Sequence, residues 1–131
     1  MRTSKDEQYI YNAKDADSTG VAISCEDFRY ILLTLSSADT ANFTIKFQGS
    51  MSDDCPDFSA ARTVLNRWEY IQVKDMQSGS AIDGDTGVSF AAADDVLRYE
   101  AVFSGYKWIS ATISSYVAGS ITLSVKLYNN K

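Results

Sequence analysis

From Gly20 onward, apolar and polar positions alternate with a period of two, and β-branched and aromatic residues group between clusters of Ser, Asp and Gly. Successive side chains of an extended strand point to opposite faces, so this pattern predicts half-buried strands rather than helices. It marks 8–13, 21–24, 28–36, 42–48, 68–74, 87–90, 96–103, 107–116 and 120–128. Only 58–65 gathers helix formers, through Ala60, Ala61, Arg62 and Leu65, and a single turn or a loop is expected there.

Within 28–36, Ile31, Leu33 and Leu35 share one face. Within 42–48, Phe43, Ile45 and Phe47 do the same and leave Thr44, Lys46 and Gln48 outward. The polar connection 37–41 contains Asp39 and has the length of a turn, so the pair reads as a half-buried hairpin. Near the C-terminus Ile109, Ala111 and Ile113 lead through 117–119 into Ile121, Leu123, Val125 and Leu127 in the same way.

These two regions align without a gap at an offset of 78 residues: Arg29 meets Lys107, Tyr30 meets Trp108, Thr34 meets Thr112, and Phe43-Thr44-Ile45 meets Ile121-Thr122-Leu123. Any two amphipathic hairpins rich in Ser and Thr match to this degree; a true repeat would set equivalent hairpins in two packed sheets. The expected architecture is all-β, an antiparallel β-sandwich of jelly-roll or related topology. Residues 20–131 form its single domain, and 1–19 are an N-terminal arm or an edge strand. Alternation assigns Ile31, Leu33, Leu35, Phe43, Ile45, Phe47, Leu97, Tyr99, Phe103, Ile109, Ile113, Ile121, Leu123 and Val125 to the core.

The same alternation turns Phe28, Tyr30 and Leu32 away from the core, and Tyr106 and Trp108 with them. Aromatics make 12% of the chain, and an apolar outer face of this kind needs a cover. These five residues are the candidate protein interface, covered by a loop, by the N-terminal segment or by a neighbouring subunit; glycan stacking on Trp68 or Trp108 is the third and least supported reading.

Composition removes most other chemistry. At 131 residues the chain is the size of one domain. Its net charge of -5, with no run of basic residues, repels a nucleic-acid backbone. No stretch approaches the ~20 apolar residues of a membrane helix. The opening MRTSKDEQYIYN lacks the apolar centre of an export signal, so synthesis and use without export are expected.

With no histidine, the commonest general base and zinc ligand are missing. No phosphate-binding glycine loop occurs. Asp53, Asp54, Asp57, Asp94 and Asp95 read as turn carboxylates, and no catalytic acid, cofactor or metal is assigned. The segment Asp83 to Gly87 has oxygen ligands spaced for a hard cation, but Asp-Gly before a strand is first a tight turn. Cys25 and Cys55 are too few for a disulfide framework and are expected as free thiols.

The phrases GVAISCEDFRYILLTL, NFTIKFQGS, WEYIQVKD, AIDGDTGVSF and GYKWISATI together resemble small β-sandwich proteins encoded beside the capsid genes of tailed bacteriophages. The resemblance runs from about residue 20 to 127. It implies a virion structural protein, most often a capsid decoration or cement protein made in the host cytoplasm. Such a protein sits on the capsid surface, binds the major capsid protein and itself as a homo-oligomer, often a trimer, and bridges capsomers. No enzymatic activity is expected, and a small glycosidase using carboxylates alone is the least supported class because no convergent pair is visible. A carbohydrate- or receptor-binding module of a phage fibre or cellular enzyme is the other class that a β-sandwich of this composition fits.

Overall fold

The computed structural model describes residues 4–92, 94–103 and 105–129. Among the described residues ten strands follow one another: β1 (Ser4–Lys14), β2 (Ser18–Thr19), β3 (Ile23–Ser24), β4 (Tyr30–Ser50), β5 (Glu69–Tyr70), β6 (Val73–Asp75), β7 (Ala81–Ile82), β8 (Val88–Ala91), β9 (Val96–Ala101) and β10 (Trp108–Tyr128). All pair antiparallel in one sheet whose main path is β1-β10-β4-β9-β6-β7. On the flanks, β2 and β3 pair with β10, and β5 and β8 with β4. The fold is all-β, as the alternation predicts.

The two expected hairpins are not hairpins. Each is one 21-residue strand, and β4 pairs with β10 along its whole length, from Tyr30 opposite Tyr128 to Ser50 opposite Trp108. Polar, turn-like residues at the centre of each strand bend it instead of reversing it. Asp39 and Thr40 adopt φ of 61° and 59°, Ser115 and Gly119 adopt 55° and 88°, and the register slips on both sides of Ala118. Such bulges kink a strand and raise its twist while pairing resumes beyond them.

The bend is held from outside. Asp94 Oδ1 accepts the backbone N–H groups of Thr40 at 2.8 Å and Ala41 at 3.3 Å. Asp17 Oδ1 accepts that of Tyr116 at 3.0 Å. At Gly119 a Cβ would fall 2.4 Å from the Ala41 Cα, so this closest approach of the two bends requires glycine.

Folding across the bends turns one sheet into two facing layers. The first joins 30–36 of β4 and 121–128 of β10, flanked by β1 on one side and β9, β6 and β7 on the other. The second joins 42–50 of β4 and 108–114 of β10, flanked by β2 and β3 on one side and β5 and β8 on the other. The 78-residue offset gains a meaning here: it carries the first half of β4, in one layer, onto the first half of β10, in the other.

Odd-numbered residues of both long strands meet between the layers. Leu33, Leu35, Ile45, Ile109, Ile121, Leu123, Val125 and Leu127 are wholly buried, and the Phe47 ring lies 6.1 Å from that of Tyr99 across the core. Each such side chain contributes on the order of 1.5–3 kcal/mol. Two expected core positions differ. Leu97 is only partly buried against the core. Phe103 is 48% exposed because β9 ends at Ala101 and the alternation stops with it. Ile10, Tyr11, Val73, Val88 and Phe90 add to the core from the flanking strands, and Ile71 from between β5 and β6.

Candidate binding surface

The five residues expected as one interface are not brought together. Phe28 precedes β4, and its N–H donates to the Cys25 carbonyl at 3.2 Å in a turn that buries the ring. Tyr106 precedes β10 and is also buried, its ring against Gly49, where a Cβ would come within 2.8 Å of it. Alternation governs only residues inside a strand, and both lie just outside one. Tyr30, Leu32 and Trp108 do face outward and are half-buried, but Tyr30 and Leu32 belong to the first layer and Trp108 to the second. The outer faces of two packed layers point away from each other, so no single patch forms.

A different surface stands out. After β4 ends at Ser50, residues 51–68 run without helix or strand to β5. Connections of this length inside a compact domain are uncommon and are usually either functional loops or disordered linkers. This one is tied together by side chain to backbone hydrogen bonds. Asn66 Nδ2 donates to the carbonyls of Asp57 at 2.9 Å and Ala61 at 3.1 Å, while its Oδ1 accepts the Asp57 N–H at 2.8 Å. Thr63 and Asn66 exchange backbone hydrogen bonds at 3.1 and 3.2 Å and so close a tight turn. The two residues at its tip, Val64 and Leu65, are 86% and 98% exposed.

The loop is anchored on the outer face of the second layer. Phe58 is buried there, its carbonyl accepting from Gln48 Nε2 at 3.0 Å. Trp68 Nε1 donates to the Ala60 carbonyl at 3.1 Å, and Ser50 Oγ to the Arg67 carbonyl at 2.6 Å. Lys107 pairs with Asp53 and holds its carboxyl below the usual carboxylate range. The Ser59 hydroxyl does the same for Asp57.

Aromatic rings run along the loop's base: Phe58 and Trp68 have centroids 6.2 Å apart, and Trp68 meets Tyr70 edge-on at 5.2 Å. The Arg62 guanidinium lies 5.1 Å and 5.2 Å from the Trp68 and Tyr70 centroids, and Lys46 Nζ lies 5.0 Å from that of Tyr70. Next to this stretch, Met51, Val102 and Phe103 are each about half exposed. They line an open depression with Tyr106, whose hydroxyl donates to Glu69 Oε1 at 3.0 Å. Burial, together with the Glu69 carboxylate, raises the Tyr106 phenol above its ordinary range.

Asp83 accepts the N–H groups of Thr86 and Gly87 through its carbonyl, and that of Asp85 through Oδ1 at 2.9 Å. With Gly87 at φ 69°, the segment is a tight turn between β7 and β8. Among the described residues no group of three or more Cys, Asp or Glu side chains could hold a metal ion. Cys25 is buried and Cys55 exposed, and both are free thiols.

No family model and no curated protein matches the chain. Two solved structures share its fold. The SPBc2 prophage-derived protein YomS superposes with a TM-score of 0.67 at 12% identity, covering 97% of this chain and 96% of YomS. The PBSX exported protein XepA superposes with a TM-score of 0.69 at 15% identity, covering 97% of this chain but 39% of XepA. The same bent-sheet domain therefore serves as nearly a whole protein in one and as a minor part of another.

Proposed function

We propose that this chain is a phage structural protein that acts by adhesion rather than catalysis, and more specifically a capsid decoration subunit. In this reading a homo-oligomer, a trimer in its simplest form, bridges neighbouring copies of the major capsid protein on the capsid surface after synthesis in the host cytoplasm. The observation that carries it is the 51–68 loop, which presents Val64 and Leu65 to solvent on a turn already fixed by Asn66 and Thr63. An apolar anchor on a pre-ordered loop loses little conformational entropy on docking. The fold shared with a prophage-derived protein supports a phage origin, and an exported neighbour fits a protein that leaves the cell on a particle.

Many equivalent sites on a lattice multiply modest contacts, and a subunit that binds only the assembled shell stabilises it by mass action. The test is to mix purified protein with undecorated capsids, count bound copies and record shell melting. Saturable binding with a higher melting temperature is expected. A protein that stays monomeric and leaves the shell unbound and its melting unchanged overturns the decoration reading.

A further inference from the structure

We propose that the groove between the 58–62 stretch and the outer face of the second layer binds an acidic saccharide, a sugar bearing a carboxylate of the uronic-acid type. The groove encloses about 500 Å³ and is lined by Gln48, Arg62, Trp68, Tyr70, Thr19 and Thr112 among others. Two unmet demands coincide in it. Gln48 is 1% exposed, and because its Nε2 donates to the Phe58 carbonyl at 3.0 Å, its other end is the oxygen, which has no partner. A buried acceptor without a donor is unfavourable, so a ligand that supplies a hydroxyl there is favoured.

The second demand is for an anion. Arg62 and Lys46 are held against the Trp68 and Tyr70 rings, and among the described residues neither forms an ion pair, in a chain with 17 carboxylates. Stacking on the rings fixes the guanidinium while leaving its N–H edge available, and such a fork matches a carboxylate. A pyranose with one carboxylate supplies both groups from one rigid ring, the carboxylate to Arg62 and a hydroxyl to Gln48 Oε1. Thr19 and Thr112 add hydroxyls to the walls. Oε1 is out of contact with solvent, so the hydroxyl reaches it as the exposed 59–61 stretch gives way, with Phe58 still accepting from Gln48 Nε2. The groove is distinct from the Val64–Leu65 tip on which the adhesion reading rests.

The test is to titrate the ¹⁵N-labelled protein with tetragalacturonate, with its methyl ester, and with a tetraglutamate peptide. The acidic sugar is expected to shift the Gln48 side-chain amide, the Trp68 indole N–H and the backbone amides of 58–62. The ester should bind at least tenfold more weakly. Arg62→Ala should lose at least tenfold in affinity at unchanged melting temperature, whereas Leu65→Asp should bind the sugar normally even if it no longer binds capsids. Absence of these shifts at millimolar sugar overturns the proposal. So does a tetraglutamate peptide that shifts the same resonances as strongly, since charge attraction alone would then account for the site.

Discussion

The bent β4–β10 ribbon and the 51–68 loop lie against each other, yet they are ordered by different forces. In the ribbon, order comes from alternate side chains driven out of water: Leu33, Leu123 and their neighbours have no exposed surface. In the loop only Phe58 is an apolar side chain out of water, and shape comes from Asn66, Asp57, Thr63 and Ser50 bonding to nearby backbone. Hydrophobic burial gives large, cooperative stability, whereas local polar bonds give modest net stability but fixed geometry. A binding loop benefits from the second arrangement because its apolar residues stay free for a partner.

The comparison is broken hardest from the ribbon side. Leu33→Ala, at the centre of the first layer, should destabilise the whole domain by about 2–5 kcal/mol in urea unfolding, because the wholly buried site leaves a cavity. A loss below about 1 kcal/mol would mean that the ribbon does not carry the core.

Alkaline titration probes the same core more gradually. Burial pushes the Cys25 thiol from 9.0 up to about 12, and the Tyr11 phenol from 10.0 up to about 12. Both groups keep their protons in the folded state at pH values where the unfolded chain releases them. Their contribution is therefore complete below pH 9 and is lost as pH rises toward 12, at roughly 1.4 kcal/mol per pH unit for each group once its unfolded form ionises. Unfolding free energy should be insensitive to these groups up to pH 9 and fall steeply above pH 10. A flat profile to pH 11 would contradict the burial of both.

From the loop side the effect is smaller and local. Asn66→Ala removes three hydrogen bonds from a partly exposed side chain and should cost about 1 kcal/mol globally. Amide exchange over 57–66 should quicken much more than exchange in β4 or β10. Equal acceleration in both regions would show that the loop is no independent unit.

The same contrast explains what the sequence could reveal. Alternation placed Ile31 through Phe47 and Ile109 through Leu127 correctly, because burial of one strand face leaves a period-two record. It could not distinguish a bend from a reversal at 37–41, since both use short polar residues that tolerate positive φ, and only the partner strand decides between them. It failed at Phe28, Phe103 and Tyr106 because each lies beyond a strand end, where loop geometry sets the side chain's direction. The 51–68 loop left a weaker signal: Asp57, Thr63 and Asn66 are residues that bond to nearby backbone, but their partners are fixed by the folded path. Val64 and Leu65 read as ordinary apolar residues until that path turns them outward.

The most direct test of the adhesion account is co-sedimentation of Leu65→Asp with undecorated capsids, beside the wild-type protein. Leu65 makes no buried contact, being 98% exposed, so the variant should melt within about 0.5 kcal/mol of wild type. Its capsid affinity should nevertheless fall at least tenfold, about 1.4 kcal/mol, as expected for a central apolar anchor replaced by a charge. Wild-type binding that Leu65→Asp leaves unchanged would contradict the account and move the interface away from the loop.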